Sequence, residues 1–314
     1  MKQVGTSDLR IYPLGLGGNV FGYTIDAVAS EKVLDAFVAG GGNFIDTADS
    51  YSHWKPGNRG GESETIIGEW MRKRNNRDAL VIATKVGGHP EFKGLAPDNV
   101  QRAANESLKR LQCDHIDLYY AHYDDETQSI EAIARTFDRL VSAGTIRYIG
   151  ISNFSPARIN AWMHFAQENS LAVPIALQPE YNLVSRQYYE RSVEPIAREY
   201  GVGVFPYFGL ASGFLSGKYR TAADLEGAAR GQAVQKYLNP DGFRVLDALR
   251  EVAEARNAAM ATVALAWLLA KPTITAPLAS ATSEQQLAEL LAAPRLKLDE
   301  EEVKRLDEAS RAFA

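Results

Sequence analysis

Four side chains that can hold charge or exchange protons stand at the ends of three successive predicted strands. Asp46 closes the apolar run Phe44-Ile45, and Tyr51 follows on the loop that leaves it. Lys85 follows the next apolar run, and His122 the one after that. An apolar run that breaks into polar residues is typical of a buried strand ending at a solvated cleft. These residue types at neighbouring strand ends make acid–base chemistry in one cleft the first expectation.

The elements that must position these residues alternate between strand-like and helix-like patterns. The predicted strands are 13–17, 44–46, 79–84, 116–120, 146–151, 174–177, 202–205 and 273–277. The polar residues at or just beyond strand ends are Asp46, Lys85, His122, Asn153, Gln178, Tyr207 and Ser280. Eight strand–helix units without a compositional break predict a (β/α)8 TIM barrel. In that fold these residues face the C-terminal mouth, where catalytic groups lie.

Three additions to the barrel are predicted. Residues 2–12 read as a short N-terminal β-hairpin with its turn at 5–8, and residues 209–242 form a long polar, glycine-containing excursion. Extra helices near 243–256 and 262–270 then lie near the C-terminus. The absence of a linker predicts one domain over residues 1–314.

Composition narrows the class of protein. The chain has 314 residues, 46% of them hydrophobic, and a formal net charge of −5. This charge argues against nucleic acid or an anionic membrane surface as partner. The single cysteine, Cys113, excludes a disulfide framework, and the five histidines lack metal-ligand spacing, so no metal is expected. The sequence has neither an apolar run of membrane-spanning length nor a signal pattern, which favours a cytoplasmic protein.

Five motifs, in this order and spacing, are highly specific. They are Gly42-Asn43-Phe44-Ile45-Asp46-Thr47-Ala48-Asp49-Ser50-Tyr51, Ala83-Thr84-Lys85, Asp117-Leu118-Tyr119-Tyr120-Ala121-His122, Gly150-Ile151-Ser152-Asn153-Phe154 and Gln178-Pro179-Glu180-Tyr181-Asn182. With them the sequence resembles the aldo-keto reductase superfamily, in its bacterial type, over essentially its full length. The resemblance implies NAD(P)H-dependent reduction of an aldehyde or ketone to an alcohol, or the reverse reaction. It maps the catalytic tetrad of the family onto Asp46, Tyr51, Lys85 and His122.

The reaction implies a role for each of the four residues. Hydride addition to a carbonyl leaves negative charge on oxygen, which a proton must neutralise. A free tyrosine titrates near pH ~10, and the ammonium of Lys85 would lower the pKa of the Tyr51 phenol. Asp46 would hold that ammonium, and His122 would donate a hydrogen bond to the substrate oxygen.

Each of these assignments has an alternative. Asp46 could cap a loop, Tyr51 could be an ordinary loop aromatic and Lys85 a surface lysine. His122 could be a core histidine, with His53 as the rival donor.

The resemblance also implies a set of cofactor-binding residues. They are Gly18, Asn19, Asp46, Ser152, Asn153, Gln178, Tyr207, Phe208, Leu210, Ser212, Gly213, Lys218, Ser280, Thr282 and Gln286. Tyr207 would stack on the nicotinamide and Lys218 would meet the diphosphate. The alternatives are a rim-packing Tyr207, a solvated Lys218 and a Gln286 that only completes a capping box with Ser283.

Departures from the family pattern affect the choice of cofactor. Thr282 stands where many members carry an arginine for the 2′-phosphate, Leu290 replaces an asparagine, and Phe208-Gly209 replaces Ser-Pro. The missing guanidinium weakens the case for strict NADPH selection. The resemblance favours NADP(H), with NAD(H) as the alternative.

The expected substrate is a small, uncharged carbonyl or alcohol compound. Its candidate contacts are Phe21, Tyr23, His53, Trp54 and Tyr123. A redox-sensing or regulatory subunit with little turnover, like the potassium-channel β subunits that share this fold, is the alternative function. A barrel hydrolase or isomerase would need paired carboxylates, for which Asp124-Asp125 is the nearest approach. Monomer and homo-oligomer are both compatible with the sequence.

Overall fold

The computed structural model describes residues 1–227 and 231–314. Eight parallel strands form its central sheet. The strands are Gly15–Gly17 (β3), Phe44–Asp46 (β4), Val81–Val86 (β5), Ile116–Ala121 (β8), Ile146–Ser152 (β9), Ala176–Gln178 (β10), Gly203–Val204 (β11) and Leu278–Ala279 (β12). Their spatial order is β11-β10-β9-β8-β5-β4-β3-β12. The amide of Thr275 donates to the Val204 carbonyl at 3.0 Å, which joins β11 to the segment before β12. The predicted (β/α)8 barrel is confirmed.

Helices follow the strands and cover the outside of the sheet. Those in the described residues are Ala27–Ala39 (α1), Glu62–Arg74 (α2), Pro97–Leu111 (α3), Ile130–Ser142 (α4), Pro156–Glu168 (α5), Glu194–Tyr200 (α6), Gly231–Val234 (α7), Pro240–Ala255 (α8), Met260–Ala270 (α9), Glu284–Ala292 (α10) and Glu300–Ala309 (α11). Local signals set several of the starts: the hydroxyls of Ser129, Ser155 and Ser283 accept backbone N–H bonds at the N-termini of α4, α5 and α10. Pro156 stands at the first position of α5, where its missing N–H costs no hydrogen bond within the helix.

Two apolar cores hold the barrel together. The inner core is formed by side chains that point into the barrel, among them Phe44, Leu118 and Phe205. The larger outer core lies between the sheet and the helices and includes Trp70, Phe137 and Trp267. A strand buried on both faces supplies one face to each core, which is why these strands read as nearly continuous apolar runs.

The predicted N-terminal hairpin is present and belongs to the inner core. Strands Lys2–Gln3 (β1) and Arg10–Ile11 (β2) pair antiparallel. The buried hairpin residues Val4, Leu9 and Ile11 pack with the inner-core side chains. The hairpin therefore adds apolar side chains to the barrel interior.

Apart from shifts of one or two residues in the bounds of several strands, the structure differs from the predicted elements in two places. The last strand forms at Leu278–Ala279 rather than at 273–277, where Ile274 makes only an isolated bridge to Val204. Pro277 has no N–H to give to a ladder, which explains why regular pairing starts after it. A small hairpin, Gly88–His89 (β6) with Phe92–Lys93 (β7), was not predicted.

Candidate active site

Strand positions bring the four predicted catalytic residues to one end of the barrel. Asp46 is the last residue of β4, and Lys85 is the penultimate residue of β5, the neighbouring strand. His122 directly follows β8, which pairs with the other edge of β5. Tyr51 lies on the loop that begins after β4. Parallel pairing of adjacent strands thus places side chains from distant parts of the sequence beside one another.

The ammonium of Lys85 is the centre of this group. Its Nζ donates to Asp46 Oδ2 at 2.6 Å, to the Thr47 carbonyl at 2.7 Å and to Tyr51 Oη at 2.8 Å. The side chains of Lys85 and Asp46 are buried, with 0% and 2% exposure. An ammonium has three N–H donors, and here each one has an acceptor.

Burial and pairing act in opposite directions on Lys85. Burial lowers the pKa of its ammonium, and the Asp46 carboxylate partly opposes that shift. The Nζ atom also lies 4.5 Å from the centroid of the Tyr51 ring. A cation is therefore held against both the hydroxyl and the face of this phenol.

His122 is buried beside Tyr51. The two ring centroids are 6.1 Å apart. Burial, followed by the charge of Lys85, lowers the pKa of His122 well below its ordinary value. The imidazole is therefore neutral at neutral pH and has one N–H to donate.

Gln178 fixes the second oxygen of Asp46. Its Nε2 donates to Asp46 Oδ1 at 2.9 Å, and the Ser152 hydroxyl donates to the Gln178 carbonyl at 2.8 Å. Because both Asp46 oxygens accept hydrogen bonds, the carboxylate is held in one orientation.

Asn153 connects His122 to Tyr207. Its Nδ2 donates to the His122 carbonyl at 2.9 Å, and its Oδ1 accepts from the Tyr207 hydroxyl at 2.9 Å. Asn153 itself has φ 54°, in the left-handed region. An asparagine tolerates that conformation better than most residues.

These residues open into a cavity of about 850 Å³. The predicted cofactor residues that line it are Asn19, Asp46, Ser152, Asn153, Gln178, Tyr207, Phe208, Leu210, Ser212, Gly213, Lys218, Ser280, Thr282 and Gln286. Gly18 is the exception, since it is packed below the surface: a Cβ at this position would stand 2.7 Å from Ser63 Oγ. The structure thus brings all but one of this set to one cavity.

The far end of the cavity is built by the segments after β11 and β12. Lys218 Nζ would lie 3.3 Å from a Cβ on Gly213, so the ammonium lies beside the backbone of this glycine. Gln286 Oε1 accepts from both the N–H and the hydroxyl of Thr282 at 3.0 Å, and Ser280 Oγ donates to Asn19 Oδ1 at 2.6 Å. A cation, small residues and polar groups along an elongated cavity fit a dinucleotide.

The predicted substrate contacts divide into three groups. His53, Trp54 and Tyr123 line the cavity. Tyr23 contacts the Trp54 ring edge-on, with centroids 5.7 Å apart. Phe21 is fully buried in the outer core. The structure therefore places Phe21 in the core rather than on the cavity wall, because its side chain is fully buried among the outer-core residues.

Other lining residues were not predicted. They are Gly17, Val20, Thr24, Ser50, Gly88, Gly209, Tyr219, Ala261, Leu278, Ala279, Glu289 and Leu290. Ser50 and Tyr219 directly precede or follow predicted site residues, which was an available signal. Glu289 lies three positions after Gln286 on α10, so helical spacing could have indicated it as well.

A buried polar cluster behind the site was also missed. No hydrogen-bond partner is found for either carboxylate oxygen of Asp49 among residues 1–227 and 231–314. Its neighbour Glu64 accepts from Thr84 Oγ1 and from Arg110 Nε. Burial, and then the charge of Glu64, raises the pKa of Asp49 well above its ordinary value.

The described residues contain neither a metal-binding cluster nor a membrane-spanning helix. No group of three or more His, Cys, Asp or Glu side chains in these residues could hold a metal ion. No helix among them is both long and apolar enough to span a membrane.

Comparison with known proteins identifies the family of this chain. The model of the Aldo/keto reductase family matches residues 13–311. The chain is 33% identical to "Uncharacterized oxidoreductase YrpG" of Bacillus subtilis (strain 168), with 97% of this chain and 94% of that protein covered. It is 32% identical to "Probable voltage-gated potassium channel subunit beta" of Oryza sativa subsp. japonica, with 92% and 89% covered.

A third relative has a name that specifies a reaction. The chain is 30% identical to "Norsolorinic acid reductase" of Aspergillus flavus, with 97% of this chain and 79% of that protein covered. A match to the family model over nearly the whole chain, together with these relatives, settles the classification: the protein belongs to the aldo/keto reductase family of oxidoreductases.

Proposed function

We propose that this protein reduces an aldehyde or ketone with NADPH or NADH, and that Tyr51 donates the proton. The observation that carries the proposal is the contact of the Lys85 ammonium with the Tyr51 hydroxyl, at 2.8 Å, beside a large cavity. An ammonium stabilises the phenolate left behind when the phenol gives up its proton. Family membership supports the reaction class, and this contact supports the choice of residue.

The other two residues support the same step. Asp46 keeps Lys85 charged in a buried position, because an unpaired ammonium there would be strongly disfavoured. His122, neutral because it is buried, donates its N–H to the substrate oxygen and stabilises the charge that develops there. A bound reduced nicotinamide supplies the hydride.

Residues that line the cavity would hold the cofactor. Tyr207 would meet the nicotinamide ring, while Ser152, Asn153 and Gln178 would hold its amide. Lys218 and the backbone near Gly213 would hold the diphosphate. The remaining contacts are Asn19, Phe208, Leu210, Ser212, Ser280, Thr282 and Gln286.

We assign NADP(H) as the preferred cofactor, with NAD(H) as the alternative. The family resemblance supports NADP(H); Lys218 on the cavity wall does not separate the two, because both cofactors carry the diphosphate that it would hold. Thr282 supplies no guanidinium for a 2′-phosphate, which is why NAD(H) is retained.

A second candidate function is a regulatory subunit that binds cofactor and turns over little. The name of the Oryza sativa relative favours it. Multiple-turnover kinetics separate the two functions: 4-nitrobenzaldehyde is supplied in large excess with NADPH or NADH, and the nicotinamide oxidised per chain is counted. Many turnovers support the reductase. Oxidation that stops near one nicotinamide per chain supports the regulatory subunit.

A further inference from the structure

The space around Gly88, rather than its backbone conformation, calls for a glycine at this position. Gly88 lies on β6 with a φ outside the left-handed region, whereas the neighbouring Gly87 has φ 106°. Residues with a side chain adopt extended backbone freely. A Cβ on Gly88 would, however, lie 3.0 Å from Tyr123 Cε2 and 3.2 Å from both His122 Nδ1 and Ser50 Oγ. The missing side chain therefore leaves room for these three groups.

The same contacts bring Ser50 and His122 together. Ser50 Oγ and His122 Nδ1 are both 3.2 Å from one point, so their separation is at most twice that distance. The two side chains are nearly buried, at 4% and 8% exposure, and both residues line the cavity beside Gly88. Over such a gap a hydroxyl group reaches a ring nitrogen directly or through one water.

The Nδ1 atom of His122 is the ring nitrogen that needs a partner. It is buried, and no hydrogen-bond partner for it is found within the part of the chain that the structure describes. A buried polar atom without a partner costs free energy, so a polar group within reach is expected to serve it. The groups nearest to a Cβ on Gly88 are this nitrogen, a ring carbon of Tyr123 and Ser50 Oγ. The Ser50 hydroxyl is the one of these neighbours that can bond to Nδ1.

The proposed reaction sets the direction of this hydrogen bond. A carbonyl oxygen accepts hydrogen bonds and donates none, so His122 must present an N–H to the substrate. The neutral imidazole has a single N–H, and Nδ1 lies on the side of Ser50 and Gly88. The N–H must therefore be on Nε2, which leaves a lone pair on Nδ1. A hydroxyl that donates to this lone pair stabilises the tautomer that the reaction needs.

The other polar contact of His122 leaves the tautomer open. Asn153 Nδ2 donates to the backbone carbonyl of His122 at 2.9 Å. That bond orients the main chain and does not reach the ring. A group that selects the tautomer has to act at a ring nitrogen.

We propose that Ser50 is a positioning residue, whose hydroxyl donates towards Nδ1 of His122 and keeps the imidazole in its Nε2–H tautomer. Gly88 supplies the space for this contact. Ser50 acts through His122 and does not itself touch the reacting atoms. The inference rests on the proposed reductase function and adds to it the residue that selects the tautomer.

The tautomer can be observed without turnover. Long-range proton–nitrogen correlation NMR of isotope-labelled protein distinguishes a protonated ring nitrogen from a bare one. His122→Asn identifies the signals of His122 among the five histidines. The wild-type protein at neutral pH should show the Nε2–H form. Ser50→Ala should lose this preference and give a mixture with the Nδ1–H form, whereas Ser50→Thr, which keeps a hydroxyl, should retain it.

A second variant reaches the same contact from the other side. Gly88→Ala leaves Ser50 and His122 unchanged and places a methyl group 3.2 Å from each of the two atoms. It should therefore disturb the tautomer as Ser50→Ala does. Ser142→Ala makes the same chemical change as Ser50→Ala at the end of α4, outside the described cavity lining, and is the control. Circular dichroism verifies that each variant folds.

Kinetics should follow the tautomer. Ser50→Ala and Gly88→Ala should each lower kcat/KM for 4-nitrobenzaldehyde by about 3- to 10-fold, the range that one hydrogen bond supplies. The dissociation constants of NADPH and NADH should stay within about twofold of wild type, because the contact lies at His122 and not at the proposed cofactor residues. Ser142→Ala should change neither quantity.

Each outcome decides the inference. An Nε2–H signal in wild type that Ser50→Ala and Gly88→Ala weaken and Ser50→Thr keeps supports it. An Nδ1–H form in wild type, or an unchanged Nε2–H form in both alanine variants, overturns it and leaves the reductase intact. If the added methyl group of Ser50→Thr prevents folding, the two alanine variants decide. Failure of the wild-type protein to oxidise NADPH or NADH with 4-nitrobenzaldehyde overturns the reductase proposal and the catalytic purpose of the tautomer with it.

Discussion

Lys85 carries a formal charge in a place without solvent, and its three hydrogen bonds explain how it stays there. The idealised cost of burying an unpaired ion is far larger than the stability of a typical domain. Asp46 supplies the opposite charge, and Thr47 and Tyr51 supply the remaining acceptors. Stability and the proposed chemistry therefore depend on the same contacts.

A double-mutant cycle on Lys85 and Asp46 tests this dependence. Lys85→Met should lower the free energy of unfolding by about 3–5 kcal/mol, because it leaves the buried Asp46 carboxylate uncompensated. Asp46→Asn in that background should recover part of the loss, since it removes the stranded charge. Urea unfolding of the four proteins measures the coupling. Strictly additive losses would contradict a charge pair that is buried as a unit.

Asp49 makes the stability of the folded protein depend on pH with the opposite sign from an ordinary paired aspartate. Its raised pKa means that the folded protein holds a proton on this carboxyl that the unfolded chain has released. The groups that face it are Glu64, Arg110, Lys85 and Tyr119. Its contribution to stability is therefore complete below about pH 4, the ordinary range of aspartate, and is lost as the pH rises through the folded-state pKa.

Asp49→Asn should reveal this loss of stability, because asparagine resembles the protonated acid at every pH. Relative to wild type, the variant should gain stability with rising pH, by up to about 1.4 kcal/mol per pH unit inside that window. Urea unfolding at about pH 5, 6 and 7 measures it, with the exposed Asp78→Asn as control. A variant that becomes relatively less stable as the pH rises would mean that Asp49 is ionised and paired in the folded protein.

At the scale of elements, short segments after the strands build the cavity, and a helix start shapes its far end. Ser283 caps α10 while Thr282 and Gln286 bond to each other at 3.0 Å across the first turn. This arrangement satisfies the Thr282 side chain locally and presents no positive side chain from this turn.

Thr282→Arg should therefore change cofactor selection. A guanidinium can hold a phosphate with two charge-assisted hydrogen bonds, worth about 10- to 100-fold in affinity. The ratio of NADH to NADPH dissociation constants, measured by quenching of tryptophan fluorescence, should rise by that factor. Thr282→Gln serves as an uncharged control of similar length. An unchanged ratio in the arginine variant would contradict the placement of the 2′-phosphate at this turn.

The sequence predicts elements better than it predicts their edges. The starts of α4, α5 and α10 each follow a serine that caps the helix, which is a signal carried by the local sequence. The last strand pairs with β3 only from Leu278, after Pro277, although the apolar pattern alone had suggested 273–277. The hairpin at 88–93 is short and has little apolar patterning, so nothing local distinguished it from a loop.

At the scale of the whole molecule, barrel closure decides which side chains meet. The residues that follow strand ends were predictable, since parallel strands put their C-terminal ends together. The cluster of Asp49, Glu64, Thr84 and Arg110 was not, because its contacts join two helices, a strand and a loop at once. Phe21 shows the same limit, since a phenylalanine near a cavity and one beneath it look alike in sequence.

The barrel also separates two kinds of chemistry along one cavity. Charge and small residues follow β11 and β12, and aromatic rings follow β4 and β8. Lys85, on β5, and Tyr51, on the loop after β4, lie on the aromatic side, because β5 stands between β4 and β8 in the sheet. The proposed function requires this order, since the proton donor must reach a substrate held next to a dinucleotide.

The most direct test of the account is the Tyr51→Phe variant, compared with wild type in steady-state reduction of 4-nitrobenzaldehyde and in NADPH and NADH binding. Loss of the phenolic proton should lower kcat/KM by about 10²- to 10⁴-fold. The dissociation constants for both cofactors should stay within about twofold of wild type, because the hydroxyl removed is not among the proposed cofactor contacts. Wild-type turnover in Tyr51→Phe, with the cofactor bound, would contradict the claim that Tyr51 is the proton donor.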